Sequence, residues 1–429
     1  MNETAHYVDM KDSGIKWIGE VPASWNVRTL YQLATRVNNK NSDLAEQNLL
    51  SLSYGKIKRK DINTTDGLLP ASFDGYNIIE AGDIVLRLTD LQNDHTSLRV
   101  GHATERGIIT SAYTTLRPIN PAHSRYLYYL IHAFDLKKGF YGMGSGVRQG
   151  LNYDEVKELR MVIPPQEEQA SIVAFLDKQC KDMDTVIEEA KSSIDEYKQW
   201  KASIIFETAT KGLNPNVEMK DSGIRWIGKM PSSWSIHRIR INYSIISGNG
   251  FAPALQGVTE GDLPVCKASD IGIAGKVLTS AANYISYETA NENRFNIVPA
   301  GSIMFAKIGE AMKKNNRAIC GIPCCIDNNC QALVPEGIDS SYSYYLLRCI
   351  DMAWFDNAGT IPCISNSKLK DCHIPFPPIQ EQEEIAEVLD YKCSEIDSLV
   401  REKQELISNL EAYKRSLIYE TVTGKRKVV

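Results

Sequence analysis

The stretch from Pro164 to Gly212 recurs as Pro377 to Lys425 with its apolar positions in the same register, and this duplication limits the available folds more than any other feature. In the first copy Leu176, Cys180, Met183, Ile187, Ala190, Ile194 and Tyr197 follow one another at alternating steps of four and three. That spacing predicts a coiled-coil seam. In the second copy, 213 residues later, the slots hold Leu389, Cys393, Ile396, Val400, Lys403, Ile407 and Leu410. Each helix follows a double proline, Pro164-Pro165 or Pro377-Pro378, that cannot continue a strand ladder, and then glutamates that suit a helix N-terminus. Helices of roughly 40 residues would run about 60 Å. Neither can bury its seam alone, so each is expected to bury it against the other.

A second repeat precedes each intervening domain: Met10-Lys-Asp-Ser-Gly-Ile-Lys-Trp-Ile-Gly-Glu-Val-Pro-Ala-Ser-Trp25 and its counterpart Met219 to Trp234, identical at 12 of 16 positions. Its tryptophan and isoleucine anchors predict an ordered lead-in packed on its neighbour. The segments 26–162 and 235–375 then read as mixed α/β. Strands are expected near Asn48–Ser53, Asp83–Leu88 and Tyr113–Leu116, and a helix at Ser124–Phe134. The second domain echoes the first in Ala300-Gly-Ser-Ile-Met304 against Ala81-Gly-Asp-Ile-Val85, and in Tyr342-Ser-Tyr-Tyr-Leu346 against Tyr126-Leu-Tyr-Tyr-Leu130. Between these landmarks the domains share little. Domain edges are therefore expected at 1–25 (lead-in), 26–162 (first domain), 163–218 (helical spacer), 219–234 (repeated lead-in), 235–375 (second domain) and 376–429 (helical spacer).

The net charge of −5 over 429 residues argues against a polyanionic partner until it is divided. The helical segments 163–218 and 376–429 carry −5 and −3, whereas 26–162 carries +3 and 235–375 is neutral. Basic patches facing an anion are thus open to the domains. Ten cysteines, eight of them within 235–375, read as free thiols in a reducing cytoplasm, and Cys320, Cys324, Cys325 and Cys330 lack zinc-finger spacing. No apolar run of membrane-spanning length and no apolar leader is evident, so a cytoplasmic location is expected.

Motifs for bond-making chemistry are missing. Every Gly-Lys pair lacks the Ser or Thr of a P-loop, no H-E-x-x-H occurs, and Gly142-Met-Gly-Ser-Gly146 does not open a nucleotide-binding helix. No catalytic residue and no metal site is expected. What remains are polar stretches whose side chains neutralise phosphates and pair with base edges. The candidates in the first domain are Lys56, Lys58, Arg59, Arg87, Gln92, Asn93, Arg148 and Gln149. Those in the second are Lys267, Lys307, Lys313, Asn315 and Arg317, with Ser365 and Asn366 standing where the first domain has Arg148 and Gln149.

With these residues in view, the chain resembles the specificity subunit of Type I restriction-modification systems. The resemblance rests on the doubled lead-in, on Pro-Pro followed by Glu168-Gln169 and Glu381-Gln382, on Leu176-Asp177 and Leu389-Asp390, and on the closing stretch Tyr413 to Lys425. It implies two target-recognition domains separated by an antiparallel helical pair, related by an approximate two-fold, each reading half of a bipartite site in double-stranded DNA. It implies docking of two methyltransferase subunits that carry S-adenosylmethionine, and of restriction/translocase subunits that use ATP and Mg²⁺. A different reading, a coiled-coil scaffold with paired protein-binding domains, is separable by the salt dependence of binding.

Overall fold

The computed structural model describes residues 7–63, 70, 72–94, 96–143 and 150–428, so Arg148 and Gln149 lie outside the described residues. The chain divides into two compact units, 1–190 with 404–429, and 191–403. The divisions fall inside the long helices, not at the domain edges.

In the first unit, strands β1 (Met10–Asp12) and β2 (Glu20–Pro22) form the lead-in hairpin, paired Met10 to Pro22. It ends at Trp25, which is fully buried and donates its indole N–H to Glu168 at 3.1 Å. The domain follows as β3 (Asn26–Thr29), β4 (Ala34–Arg36), β5 (Leu50–Ser53), β6 (Lys56–Arg59), β7 (Asn77–Ile79), β8 (Ile84–Leu86), β9 (Val100–His102), β10 (Gly107–Ile109) and β11 (Thr114–Pro118). Helix α1 (Ser124–Leu136), the short α2 (Tyr153–Val156) and β12 (Arg160–Ile163) complete it. A four-stranded sheet runs β4-β11-β8-β9, β5 pairs with β6, and β12 returns antiparallel to β3, so the first and last strands close the domain on each other. Pro164 and Pro165 end that ladder because they offer no N–H. Helix α3 (Gln166–Lys211) begins there, and the Gln169 amide donates to the Pro164 carbonyl at 2.8 Å.

The second unit repeats the plan with a larger domain. After the hairpin β13 (Met219–Asp221) and β14 (Lys229–Pro231) come β15 (Ser235–Arg238), α4 (Ile239–Asn242), β16 (Tyr243–Ser247), β17 (Leu263–Cys266), α5 (Ala268–Ile273), β18 (Val277–Leu278), β19 (Tyr284–Ile285) and α6 (Tyr287–Glu292). Then follow β20 (Ile297–Val298), β21 (Ile303–Ala306), α7 (Glu310–Lys313), β22 (Ala318–Cys320), β23 (Cys324–Ile326), β24 (Cys330–Pro335), α8 (Ser340–Arg348), α9 (Asn366–Asp371), β25 (His373–Phe376) and α10 (Ile379–Val422). Two sheets form, β16-β24-β21-β22-β18 and β19-β17-β23-β20, and β15 pairs with β25 as β3 does with β12.

Within each unit the two long helices run antiparallel. In the first, Lys414 of α10 reaches Asp184 of α3 at 2.6 Å, and Gly424, just past the α10 terminus, lies against Trp25 near the α3 start. In the second, Lys201 reaches Asp397 at 2.7 Å, and Gly212 sits beside Trp234 and Glu381. The expected seam is buried at Leu176, Cys180, Met183, Ile187, Ala190 and Ile194, and at Leu389, Cys393 and Ile396. It thins beyond: Val400, Lys403, Ile407 and Leu410 are only half-buried. Lys403 stands where the first copy has Ala190, and its charged head must stay in water, so the contact there cannot close. Among the described residues no helix is long and apolar enough to cross a membrane.

Candidate nucleic-acid interface

Each domain is seated on its helix by the same three groups. Trp234 donates to Glu381 at 2.9 Å as Trp25 does to Glu168, and the Gln382 amide donates to Pro377 at 2.8 Å as Gln169 does to Pro164. The hydroxyls of Tyr129 and Tyr345, on α1 and α8, each donate to an aspartate, Asp177 and Asp390, at 2.6 Å. The neighbouring Tyr126 and Tyr342 are buried and bond backbone carbonyls, so the helical tyrosines are core, as their spacing predicts.

The surface these anchors present in the first domain centres on the β5–β6 hairpin. Strand alternation sends Leu50, Leu52 and Ile57 into a cluster with Ile79, Val85 and Ile109. Lys56 and Lys58 emerge on the other face, directly across from Ser53 and Ser51. The turn places Tyr54 and Gly55 at φ 47° and 76°, a left-handed pair typical of two-residue hairpins, and leaves Tyr54 exposed at the tip. Such a ribbon fits the dimensions of a DNA major groove. Lys56 also lies 4.0 Å from Asp184, while Arg59, on the opposite side, bonds Glu105. That contact raises the Arg59 pKa and lowers that of Glu105.

Beside the hairpin runs the loop after β8. Gln92 and Asn93 are exposed, and Asn93 donates to Asp90 at 2.9 Å. Arg87 is half-buried, 3.6 Å from Asp94, whose carboxyl is held well below the usual carboxylate range by hydrogen bonds from Ser97.

The second domain disperses its candidates. Lys267 is half-buried, donates to Gln256 at 2.9 Å and stands 5.3 Å over the Phe251 ring. Neither Gln256 nor Phe251 carried a sequence signal, since both sit in an aperiodic loop. Lys307 is half-buried, with its backbone joining Asn329 and Ile364. Lys313 is exposed and bonds Glu310 one turn back, which raises its pKa. Asn315 and Arg317 require a correction. Arg317 is 2% exposed, and its guanidinium bonds Asn316 O, Asn315 Oδ1 and Ile350 O. Burial, and then the nearby Arg348, push its pKa down to about 9. Past the Asn315 turn the chain enters β22 and carries Arg317 inward over Phe305, so it cannot present itself to a ligand. Ser365 caps α9, and Asn366 accepts from the buried Gln331 at 2.8 Å.

Among the described residues no three His, Cys, Asp or Glu side chains are grouped as metal ligands. Cys320 and Cys324 lie in the core with their sulfurs 3.3 Å apart. The arrangement is two polar surfaces of unlike composition on one duplicated mount.

A family model described as "Type I restriction modification DNA specificity domain" matches residues 22–196 and 256–408. The putative type I restriction enzyme MjaX specificity subunit of Methanocaldococcus jannaschii is 23% identical over 435 residues, spanning 96% of each chain. The MjaVIII specificity subunit of the same organism is 22% identical over 392 residues, 88% of this chain and 84% of that protein. A solved structure, from work on complex assembly and conformational transition of the type I R-M system, matches with TM-score 0.68 at 15% identity, covering 94% of this chain and 98% of that one. At that identity the likeness is one of fold.

Proposed function

This chain belongs to the Type I restriction modification DNA specificity family, and from that premise we propose that it reads a bipartite, asymmetric site in double-stranded DNA, one half per domain. The observation that carries this reading is the conjunction of identical anchors with unlike surfaces: Trp, Gln and Tyr–Asp contacts recur in both units, while among the described residues the basic ribbon of the first domain has no copy in the second. A mount kept constant under two different faces suits two unequal half-sites. The residues assigned to contact are Lys56, Lys58, Arg87, Gln92 and Asn93 in one domain, and Lys267, Lys307 and Lys313 in the other.

Catalysis would belong to partners. Methyltransferase subunits would bring S-adenosylmethionine, restriction/translocase subunits would use ATP and Mg²⁺, and the complex would work in the cytoplasm on DNA. Docking of two methyltransferase subunits is supported by exposed apolar residues at two helix positions that the repeat supplies twice, Trp200 and Leu399 in one unit and Tyr413 and Val186 in the other. In the second unit Trp200, Ile204, Ile396 and Leu399 line a groove of about 510 Å³, with Trp200 53% exposed. Of the four equivalent positions in the first unit, Val186 and Tyr413 are also exposed, whereas Met183 and Leu417 are buried.

Selection from randomised duplex DNA by this chain co-expressed with its methyltransferase is expected to recover two short defined sequences flanking an undefined gap. Replacing residues 26–162 should change one of them. Recovery of no motif with the methyltransferase bound, or a change in both sequences together, would overturn the reading.

A further inference from the structure

The loop between β8 and β9 carries Arg87, Gln92 and Asn93, three of the five first-domain residues assigned to contact, and Leu88 and Leu91 tie it to the core. Its shape is held by Arg99, which has no exposed surface. A guanidinium has five N–H donors in a rigid plane, and all five are engaged. Nη1 donates to Arg87 O at 3.3 Å and Thr89 O at 2.7 Å, and Nη2 to Asp90 O at 3.2 Å and Asp94 O at 2.5 Å. Nε donates to the Tyr141 hydroxyl at 3.1 Å, and that hydroxyl donates in turn to Asp94 O at 3.0 Å. One side chain therefore fixes four carbonyls within eight residues. Among them is Asp90, held at φ 60°, a left-handed conformation that a non-glycine residue rarely adopts unsupported.

The second domain solves the same problem with different parts. The hairpin loop between β21 and β22 also ends in a buried arginine, Arg317, which bonds the side-chain oxygen of the left-handed Asn315 (φ 56°), Asn316 O and Ile350 O. The two arginines are not copies of one position. Counting back from the matched contacts Gly82 N–H to Ala103 O and Gly301 N–H to Cys320 O, Arg99 stands four residues before its landmark and Arg317 three. A buried cation at the base of each loop, reached in two registers, is a common demand met separately.

We propose that Arg99 and Arg317 are positioning residues for sequence readout. Each holds the backbone of a recognition loop so that its outward side chains meet base edges in one geometry, without touching DNA itself. This rests on the DNA-reading function proposed above and deepens it. Bidentate pairing to a base depends on placement to a fraction of an ångström, whereas phosphate contacts tolerate movement. A slackened loop should therefore lose discrimination before it loses affinity.

The test uses the full chain with its methyltransferase partner and compares wild type, R99K, Y141F and R317K by selection from randomised duplexes and by binding across a salt series. Lysine keeps the charge and offers three donors from a single point. R99K is expected to make the first half-site degenerate, with about tenfold less discrimination against single mismatches. The second half-site and the salt slope should stay as in wild type even though the melting midpoint falls by several degrees, because buried carbonyls lose donors. R317K should do the same to the second half-site. Y141F, which leaves Arg99 in place and removes one hydroxyl, should weaken discrimination in the first half about two- to threefold. Unaltered discrimination in R99K and Y141F would overturn the proposal. So would a loss of all DNA binding in step with a lowered melting midpoint, which would make the arginines structural alone. Absence of any two-part motif in wild type would instead overturn the underlying function.

Discussion

Asp177 and Asp390 occupy equivalent places on the long helices and accept the same tyrosine hydroxyl, yet they are neutralised by unrelated side chains. Asp177 receives two N–H donors from Arg125 on α1 itself, at 2.9 and 2.6 Å. Asp390 receives Lys276, from the segment before β18, at 2.5 Å. The helix side of the joint is constant, and the domain side supplies a cation from wherever its own chain allows. A mounting contact thus specifies charge and position but not ancestry of the partner, which lets the domains diverge without loosening their seat.

The largest contrast between the units should appear in acid. Burial, aided by Lys414 and Arg125, pushes the His132 pKa down to about 4, and burial with Arg125 does the same to His102. The equivalent positions in the second unit are Arg348 and Ile319, so neither histidine has a counterpart. A histidine with a lowered folded pKa takes its proton first in the unfolded state, so stability is lost as pH falls from about 6.5 to about 4. Each contributes roughly 3 kcal/mol at the lower limit. Asp135 works in the opposite sense, because burial raises its carboxyl to about 6 and the folded state gains the first proton. The first unit should therefore lose a net of roughly 3 kcal/mol between pH 7 and 4. Hydrogen exchange should show α1 opening before α8, and simultaneous opening would remove the contrast.

A smaller contrast lies at the helix ends. An alanine at Gly424, already at φ 71°, would put its Cβ 2.3 Å from the Pro22 ring, whereas at Gly212 the nearest atom is a Glu381 carboxylate oxygen at 3.0 Å that can swing aside. G424A should cost about 2–3 kcal/mol and G212A about 1 kcal/mol by denaturant titration. Equal costs would mean that the proline end yields as easily. Next come D177N and D390N, each expected to cost about 1–2 kcal/mol because asparagine keeps an acceptor oxygen but removes the negative charge that the tyrosine hydroxyl and the cation share. The costs should match to within about 0.5 kcal/mol if Arg and Lys are truly interchangeable here. Least of all, K414A and K201A should each cost about 0.5 kcal/mol as partly exposed ion pairs. Only K414A should move the acid transition, and to lower pH, since it relieves the charge facing His132.

What could be read from the sequence was whatever repeats or alternates. The seam from Leu176 to Ile194, the buried tryptophans of the lead-ins, the strands near Leu50, Ile84 and Thr114 and the tyrosine helices all follow from spacing, because burial of one face imposes a period on the chain. The loops have no period, and there composition misled. The run Lys313 to Arg317 looks like one cationic surface, but the left-handed turn at Asn315 divides it into an exposed lysine and a core arginine. Arg99 carries no sequence signal for the converse reason: a lone arginine between Leu98 and Val100 gives no sign that five backbone and hydroxyl partners converge on it. Half-burial of Val400 and Ile407 was likewise hidden, since a seam records which residues face inward and not whether anything closes over them.

The division of the chain has a consequence in time. The second unit is one continuous run, 191–403, and every contact within it is available once that run has been made. The first unit takes its final part from 404–429, where the Tyr419 hydroxyl bonds Trp17 O at 3.0 Å across 402 residues. Closing so long a loop is entropically demanding, and during synthesis it must wait for the late segment to emerge. The domain made first is therefore the one completed last, and until then the seam of α3 from Leu176 to Ala190 must stand without its partner.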